Sequence, residues 1–159
     1  MIQDKVYIAL TDALPLVKQW KEAGHQIVFT NGCYDLIHIG HVLYLEEARS
    51  LGDKLIVGVN SDASVRRLKG KSRPIKDEYN RLHIMAALES VDMVILFNED
   101  TPIMMIKAIM PDVLVKGGDW QPDQIVGSDV VLAIGGQVKS LTFVEGYSTT
   151  ALEQKIKNE

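Results

Sequence analysis

Two hydrophobic periods alternate along this chain. Apolar runs at Gln26–Thr30, Lys54–Val59, Met93–Phe97, Val113–Lys116 and Gln137–Phe143 read as strands. Four of them are rich in Val, Ile or Leu, the composition of strands covered on both faces. Between them, helical spacing predicts helices over Asp12–Ala23, His41–Leu51, Ala63–Leu68, Asp77–Glu89, Pro102–Met110 and Ser128–Ile134, with a last helix over Thr149–Lys157. The first helix sets Leu14, Val17 and Trp20 on one side, takes Pro15 in its first turn and stops at Gly24. Ile103, Met104, Met105, Ile106, Ile109 and Met110 are expected mainly in the core. This βαβα order predicts an α/β domain with a five-stranded parallel sheet between two helix layers, joined by right-handed crossovers. Ligands of such sheets bind beyond the carboxyl ends of the strands, where the strand order reverses. The longest irregular stretches, Gly70–Lys76 and Gly117–Gly127, are therefore candidate binding loops.

Composition narrows the function classes. The chain has 159 residues, enough for one domain with a full core, and 47% of them are apolar, which excludes disorder. Residues 1–24 read as a helical lead-in and 25–159 as the core. The net charge of −4, with acids and bases interspersed, argues against a nucleic-acid partner. No run is long and apolar enough to span a bilayer, and no secretory signal is visible. The single Cys33 cannot form an internal disulfide, which fits a reducing, cytoplasmic setting. No residue near it would clearly lower its thiol pKa, so it is not read as a nucleophile.

The chemistry concentrates in Thr30-Asn31-Gly32-Cys33-Tyr34-Asp35-Leu36-Ile37-His38-Ile39-Gly40-His41. This run joins the first predicted strand to the helix that follows. Unpaired N–H groups and the dipole make a helix N-terminus an anion site, and two imidazoles three residues apart add donors there. Gly40 permits close approach of backbone or phosphate. No Cys or carboxylate cluster nearby completes a tetrahedral zinc set. Thr30 either offers its hydroxyl to phosphate or satisfies backbone, and Asp35 reads as a turn-bonding or His-bonding residue rather than a base. Lys69, Lys71 and Arg73 stand at alternate positions of a loop beyond a strand end, where they would face a polyphosphate or simply water. For Arg81, pairing with Asp77 and Glu78 and contact with phosphate both stay open. Ser148-Thr149-Thr150 caps the last helix, whose N-terminus can also receive phosphate. Lys116 ends a strand before Gly117-Gly118-Asp119-Trp120, where Trp120 either stacks on a ligand or covers the core.

These residues carry a family resemblance. His38-Ile39-Gly40-His41 after such a strand resembles the His-x-Gly-His element of the cytidylyl- and adenylyltransferase superfamily. Asn60 to Ile75, Pro111 to Trp120 and Gly146-Tyr147-Ser148-Thr149-Thr150 resemble, in order, three further blocks of the bacterial D-glycero-β-D-manno-heptose 1-phosphate adenylyltransferases. The resemblance covers residue 26 to the C-terminus. It implies a single-domain Rossmann-like three-layer α/β/α nucleotidyltransferase that moves AMP from ATP to a heptose 1-phosphate, releasing pyrophosphate. It implies His38, His41 and Lys71 as catalytic. It places Thr30, Asn31, Gly32, Tyr34, Gly40, His41, Lys116, Gly118, Asp119, Trp120, Tyr147, Ser148, Thr149 and Thr150 around the nucleotide, and Asp35, Lys69, Arg73 and Arg81 around the acceptor. It implies Mg²⁺ held mainly by nucleotide phosphates, with no protein side chain as metal ligand, a separate sugar kinase upstream, a surface-glycan or lipopolysaccharide precursor as product, and room for a homodimer.

Some positions depart from the pattern. Tyr34 stands where the family more often has Phe. Members acting on glycerol 3-phosphate with CTP typically carry an Arg shortly before the last block, where this chain reads Phe143-Val144-Glu145. Lys71-Ser72-Arg73-Pro74-Ile75 and Lys116-Gly117-Gly118 lean toward the heptose group. A glycerol-3-phosphate cytidylyltransferase and a non-catalytic nucleotide-binding module on the same fold are the alternatives.

Overall fold

The computed structural model describes residues 1–159. Six strands form one sheet: β1 (Val6–Tyr7), β2 (Ile27–Gly32), β3 (Lys54–Asn60), β4 (Met93–Phe97), β5 (Val113–Gly117) and β6 (Gln137–Leu141). Their order is β1-β4-β3-β2-β5-β6, and every pairing is parallel. The expected count of five is corrected to six. The added edge strand, β1, pairs only Val6 with Val94 and Tyr7 with Ile95, and two residues leave no periodic signal to read.

Seven α-helices follow in chain order: α1 (Leu10–Glu22), α2 (Ile39–Ser50), α3 (Asp62–Lys69), α4 (Glu78–Ala87), α5 (Ile103–Ile109), α6 (Ser128–Ala133) and α7 (Thr149–Lys157). Because α1 starts at Leu10, Pro15 falls in the second turn rather than the first, where it has no N–H for the carbonyl of Thr11. No helix is long and apolar enough to cross a membrane.

Strand alternation builds two cores. Val28, Leu55, Val57, Val59, Val94, Val113 and Val115 face one side and pack with Tyr44, Leu45 and Ala48 of α2 and Leu82, Met85 and Ala86 of α4. Ile27, Phe29, Ile56, Met93, Ile95 and Leu114 face the other, against Ala13 and Val17 of α1, Met105, Ile106 and Ile109 of α5 and Val131 of α6. Period-two side-chain direction is what lets one strand serve both cores. Met104 is an exception to the core expectation for α5, being exposed. In contrast to the other long helices, α7 contributes no buried residue.

The topology fixes where a ligand goes. β2, β3 and β4 step outward in one direction, and the chain then returns to place β5 on the other side of β2. The helix after β2 covers one face and the helix after β5 covers the opposite face. Between the carboxyl ends of β2 and β5 the two connections part, and a crevice opens there.

Candidate active site

At the head of α2, His38 is the N-cap, with extended backbone, and its Nδ1 accepts the N–H of Gly40 at 3.1 Å. His41 Nδ1 accepts the N–H of His38 at 3.2 Å. With Nδ1 of each ring used as acceptor, a neutral imidazole carries its proton on Nε2, so both rings offer an Nε2–H. Burial holds the His38 pKa below its usual value. Burial, then the neighbouring His38 and Lys69, push that of His41 down to about 4. The two rings lie 4.0 Å apart, centroid to centroid. Gly40 is required by this arrangement: a Cβ there would sit 2.8 Å from the His38 ring.

The turn before α2 is equally constrained. Tyr34 adopts φ 51° and sets its ring edge-on to His41 at 5.7 Å. A Cβ at Gly32 would stand 3.0 Å from the Tyr34 ring, so the glycine makes room for it. Asp35, with 3% of its surface exposed, accepts from Arg73 Nε at 2.8 Å and from the N–H groups of Ile75 and Lys76, each at 2.8 Å. Burial raises its carboxyl pKa, but these donors outweigh burial and hold it below the ordinary range. Asp35 therefore anchors the distant Gly70–Lys76 loop through Arg73, Ile75 and Lys76 rather than bonding its own turn or a histidine.

Arg73 is gripped from a second side. Its Nη1 donates to Glu153 of α7 at 2.9 Å. Its Nη2 makes no hydrogen bond within the protein, and Arg73 lines the cavity described next. At the head of α7, Ser148 accepts the N–H of Ala151 at 3.0 Å, and Thr149 Oγ1 donates to the carbonyl of Leu36 at 3.3 Å. Tyr147 Cβ comes within 3.8 Å of the place a Cβ on Gly40 would take, so the N-termini of α2 and α7 adjoin.

A cavity of about 160 Å³ opens where these parts meet. Of the residues expected from sequence, Asn31, Gly32, Tyr34, Asp35, His41, Lys69, Arg73, Lys116 and Thr149 line it. A second cavity of about 390 Å³ shares the Asn31-Gly32-Cys33 turn, Lys69 and Lys116 with the first and runs on past Asn60 and Thr101. Burial raises the thiol pKa of Cys33, which stands where the two meet. Sequence reasoning missed Tyr44 and Phe143 on the first wall, while Gly117, which opens the expected Gly117–Gly127 binding loop, does line it. Tyr44 carries the signal of an aromatic one turn into the helix after the motif, and Phe143 that of an apolar residue just past a strand end.

Other expected residues stand elsewhere. Arg81 has no exposed surface and is not on phosphate or on Asp77 and Glu78: it donates to the carbonyls of Lys76, Cys33 and Asn60 and to the carboxylate of Asp62. Thr30 is buried, and its hydroxyl pairs with that of Tyr44 at 2.5 Å, so it does not face a phosphate. His38, Gly40, Lys71, Gly118, Asp119, Trp120, Tyr147, Ser148 and Thr150 line neither cavity, so of the two histidines only His41 stands on a cavity wall. Trp120 Nε1 donates to the carbonyl of Gly117, and the ammonium of Lys116 lies 4.9 Å from the ring centroid. No group of three or more His, Cys, Asp and Glu side chains is placed to hold a metal ion.

A switch-point crevice at two adjoining helix N-termini, walled by one imidazole, His41, and three cations, Lys69, Arg73 and Lys116, belongs to the class of α/β domains that bind anionic ligands at the carboxyl ends of their strands. The sequence model for cytidylyltransferase-like domains matches residues 29–155. The chain belongs to the cytidylyltransferase-like family, and so to the nucleotidyltransferases. Its relatives include the bifunctional protein HldE of Geotalea uraniireducens, 56% identical over 92% of this chain, and that of Trichlorobacter lovleyi, 58% identical over 84%. The matches cover 30% and 27% of those proteins, so the chain spans about a third of their length. The crystal structure of the lipopolysaccharide core biosynthesis protein from Thermoplasma volcanium superposes with a TM-score of 0.61 at 32% identity, covering 79% of this chain and all of the other.

Proposed function

We propose that this domain transfers AMP from ATP to D-glycero-β-D-manno-heptose 1-phosphate, giving ADP-heptose and pyrophosphate. The observation that carries the reading is the convergence of His41, Lys69, Arg73, Lys116 and Thr149 on one cavity at the end of β2. The identity to HldE proteins and the likeness to a lipopolysaccharide core biosynthesis protein support the heptose branch.

The acceptor needs little activation. A phosphate monoester has a second pKa of about 6, so its oxygen is largely ionised near neutral pH. That oxygen forms a bond to the α-phosphorus of ATP, the bond from the α-phosphorus to the bridging oxygen breaks, and pyrophosphate leaves with the electron pair. The domain's contribution is to align two polyanions and stabilise the charge that develops on phosphoryl oxygens. Neutral imidazoles suit this: their Nε2–H groups donate without giving up a proton. Lys69, Arg73 and Lys116 offset the charge, and the adjoining helix N-termini add N–H donors. Magnesium enters as part of the MgATP substrate, held by phosphate oxygens and water. A sugar kinase activity supplies the 1-phosphate.

The test incubates the protein with MgATP or MgCTP and either heptose 1-phosphate or glycerol 3-phosphate, and measures pyrophosphate. Release with ATP and heptose 1-phosphate is expected. Release only with CTP and glycerol 3-phosphate would replace this reading by the cytidylyltransferase one. Silence with every pair would favour a nucleotide-binding module.

A further inference from the structure

Phe143 is an aromatic side chain for which phosphate chemistry has no use. It lies just past β6 and remains 51% exposed, although it lines the smaller cavity. The ring is held in place. A Cβ at Gly117 would fall 2.5 Å from it, so it rests directly on the glycine backbone, and the Tyr44 ring supports it at 5.9 Å. A phenyl group has no polar atom to offer an anion. What it presents is an apolar π surface in the wall of the same cavity that Lys116, His41 and Thr149 line. Trp120, the other exposed aromatic nearby, is engaged differently: its N–H is spent on Gly117, Lys116 lies over its ring, and it lines neither cavity.

We propose that Phe143 is the shelf on which the nucleobase stacks while the triphosphate extends toward His41 and Thr149. The larger π face of a purine gains more from such a shelf than a pyrimidine does, so Phe143 also biases the site toward ATP over CTP. This inference rests on the nucleotidyl-transfer reading. Its test is calorimetric titration of the wild type, Phe143→Ala and Phe143→Trp with MgATP, MgCTP and magnesium tripolyphosphate, the last a probe with no base. Phe143→Ala should weaken ATP binding roughly 5- to 150-fold, the range for one base–aromatic stack. It should weaken CTP binding less, and tripolyphosphate binding by under about twofold on the same reasoning. Phe143→Trp should retain ATP affinity. Unchanged ATP binding in Phe143→Ala, or equal loss of ATP and tripolyphosphate, overturns the shelf while leaving nucleotidyl transfer intact. A wild type that takes tripolyphosphate but neither nucleotide overturns both.

Discussion

Replacing Asp35 with Ala isolates the contact that holds the basic loop in place. The carboxylate is almost fully buried and receives Arg73 Nε, Ile75 N–H and Lys76 N–H. Its removal leaves the Arg73 charge, itself mostly buried, with Glu153 alone, and strands two backbone donors. Breaking one partner of a buried ion pair costs about 3–5 kcal/mol. For a domain of this size each kcal/mol shifts Tm by about 2–4 °C, so Asp35→Ala should melt roughly 6–20 °C below wild type. Thermal unfolding followed by circular dichroism at pH 7 reads this directly. Arg73→Ala should also destabilise, and the double variant should lose less than the sum of the two, since each removes the other's partner. A purely substrate-binding Asp35 would raise KM and leave Tm untouched. A melting point within about 2 °C of wild type for Asp35→Ala, less than 1 kcal/mol implies, would refute the anchoring argument.

Loss of either imidazole donor should act on the chemical step: His38→Ala and His41→Ala are each expected to lower kcat on the order of 10²–10³, as for removal of one oxyanion donor, and near-normal turnover in steady-state assays would remove them from the mechanism. The depressed pKa of His41 also predicts a pH signature in stability. Unfolding restores its usual value near 6.5, so the unfolded chain takes up the proton first and stability declines as pH falls from there toward about 4. Denaturant melts across that window should show a shallower decline for His41→Asn than for wild type, and parallel slopes would contradict the burial of that ring.

The parts legible from sequence were those written in local pattern. β2, β3, β4 and β5 were visible as Val- and Ile-rich runs because both faces of each are covered. The helix after the histidine motif was visible, but it begins at Ile39, two residues before the expected His41, because the His38 ring caps it. What escaped depended on distant partners. β1 exists only through Val94 and Ile95, more than eighty residues away. The hydroxyl of Thr30 is taken by Tyr44, and that of Thr149 by the carbonyl of Leu36, pairings that no spacing rule encodes. Likewise Glu153 reads as an ordinary helix-surface acid until the fold brings Arg73 to it.

The burial of Arg81 bears on how an anion comes near this end of the sheet at all. Carbonyl oxygens left free in the turns beyond the strands carry partial negative charge, which repels phosphate. The guanidinium draws off three of these oxygens, from Cys33, Asn60 and Lys76, and turns them inward to itself. The same guanidinium pairs with the Asp62 carboxylate, so a cation that never meets the ligand lowers the negative potential a triphosphate meets at this end of the sheet.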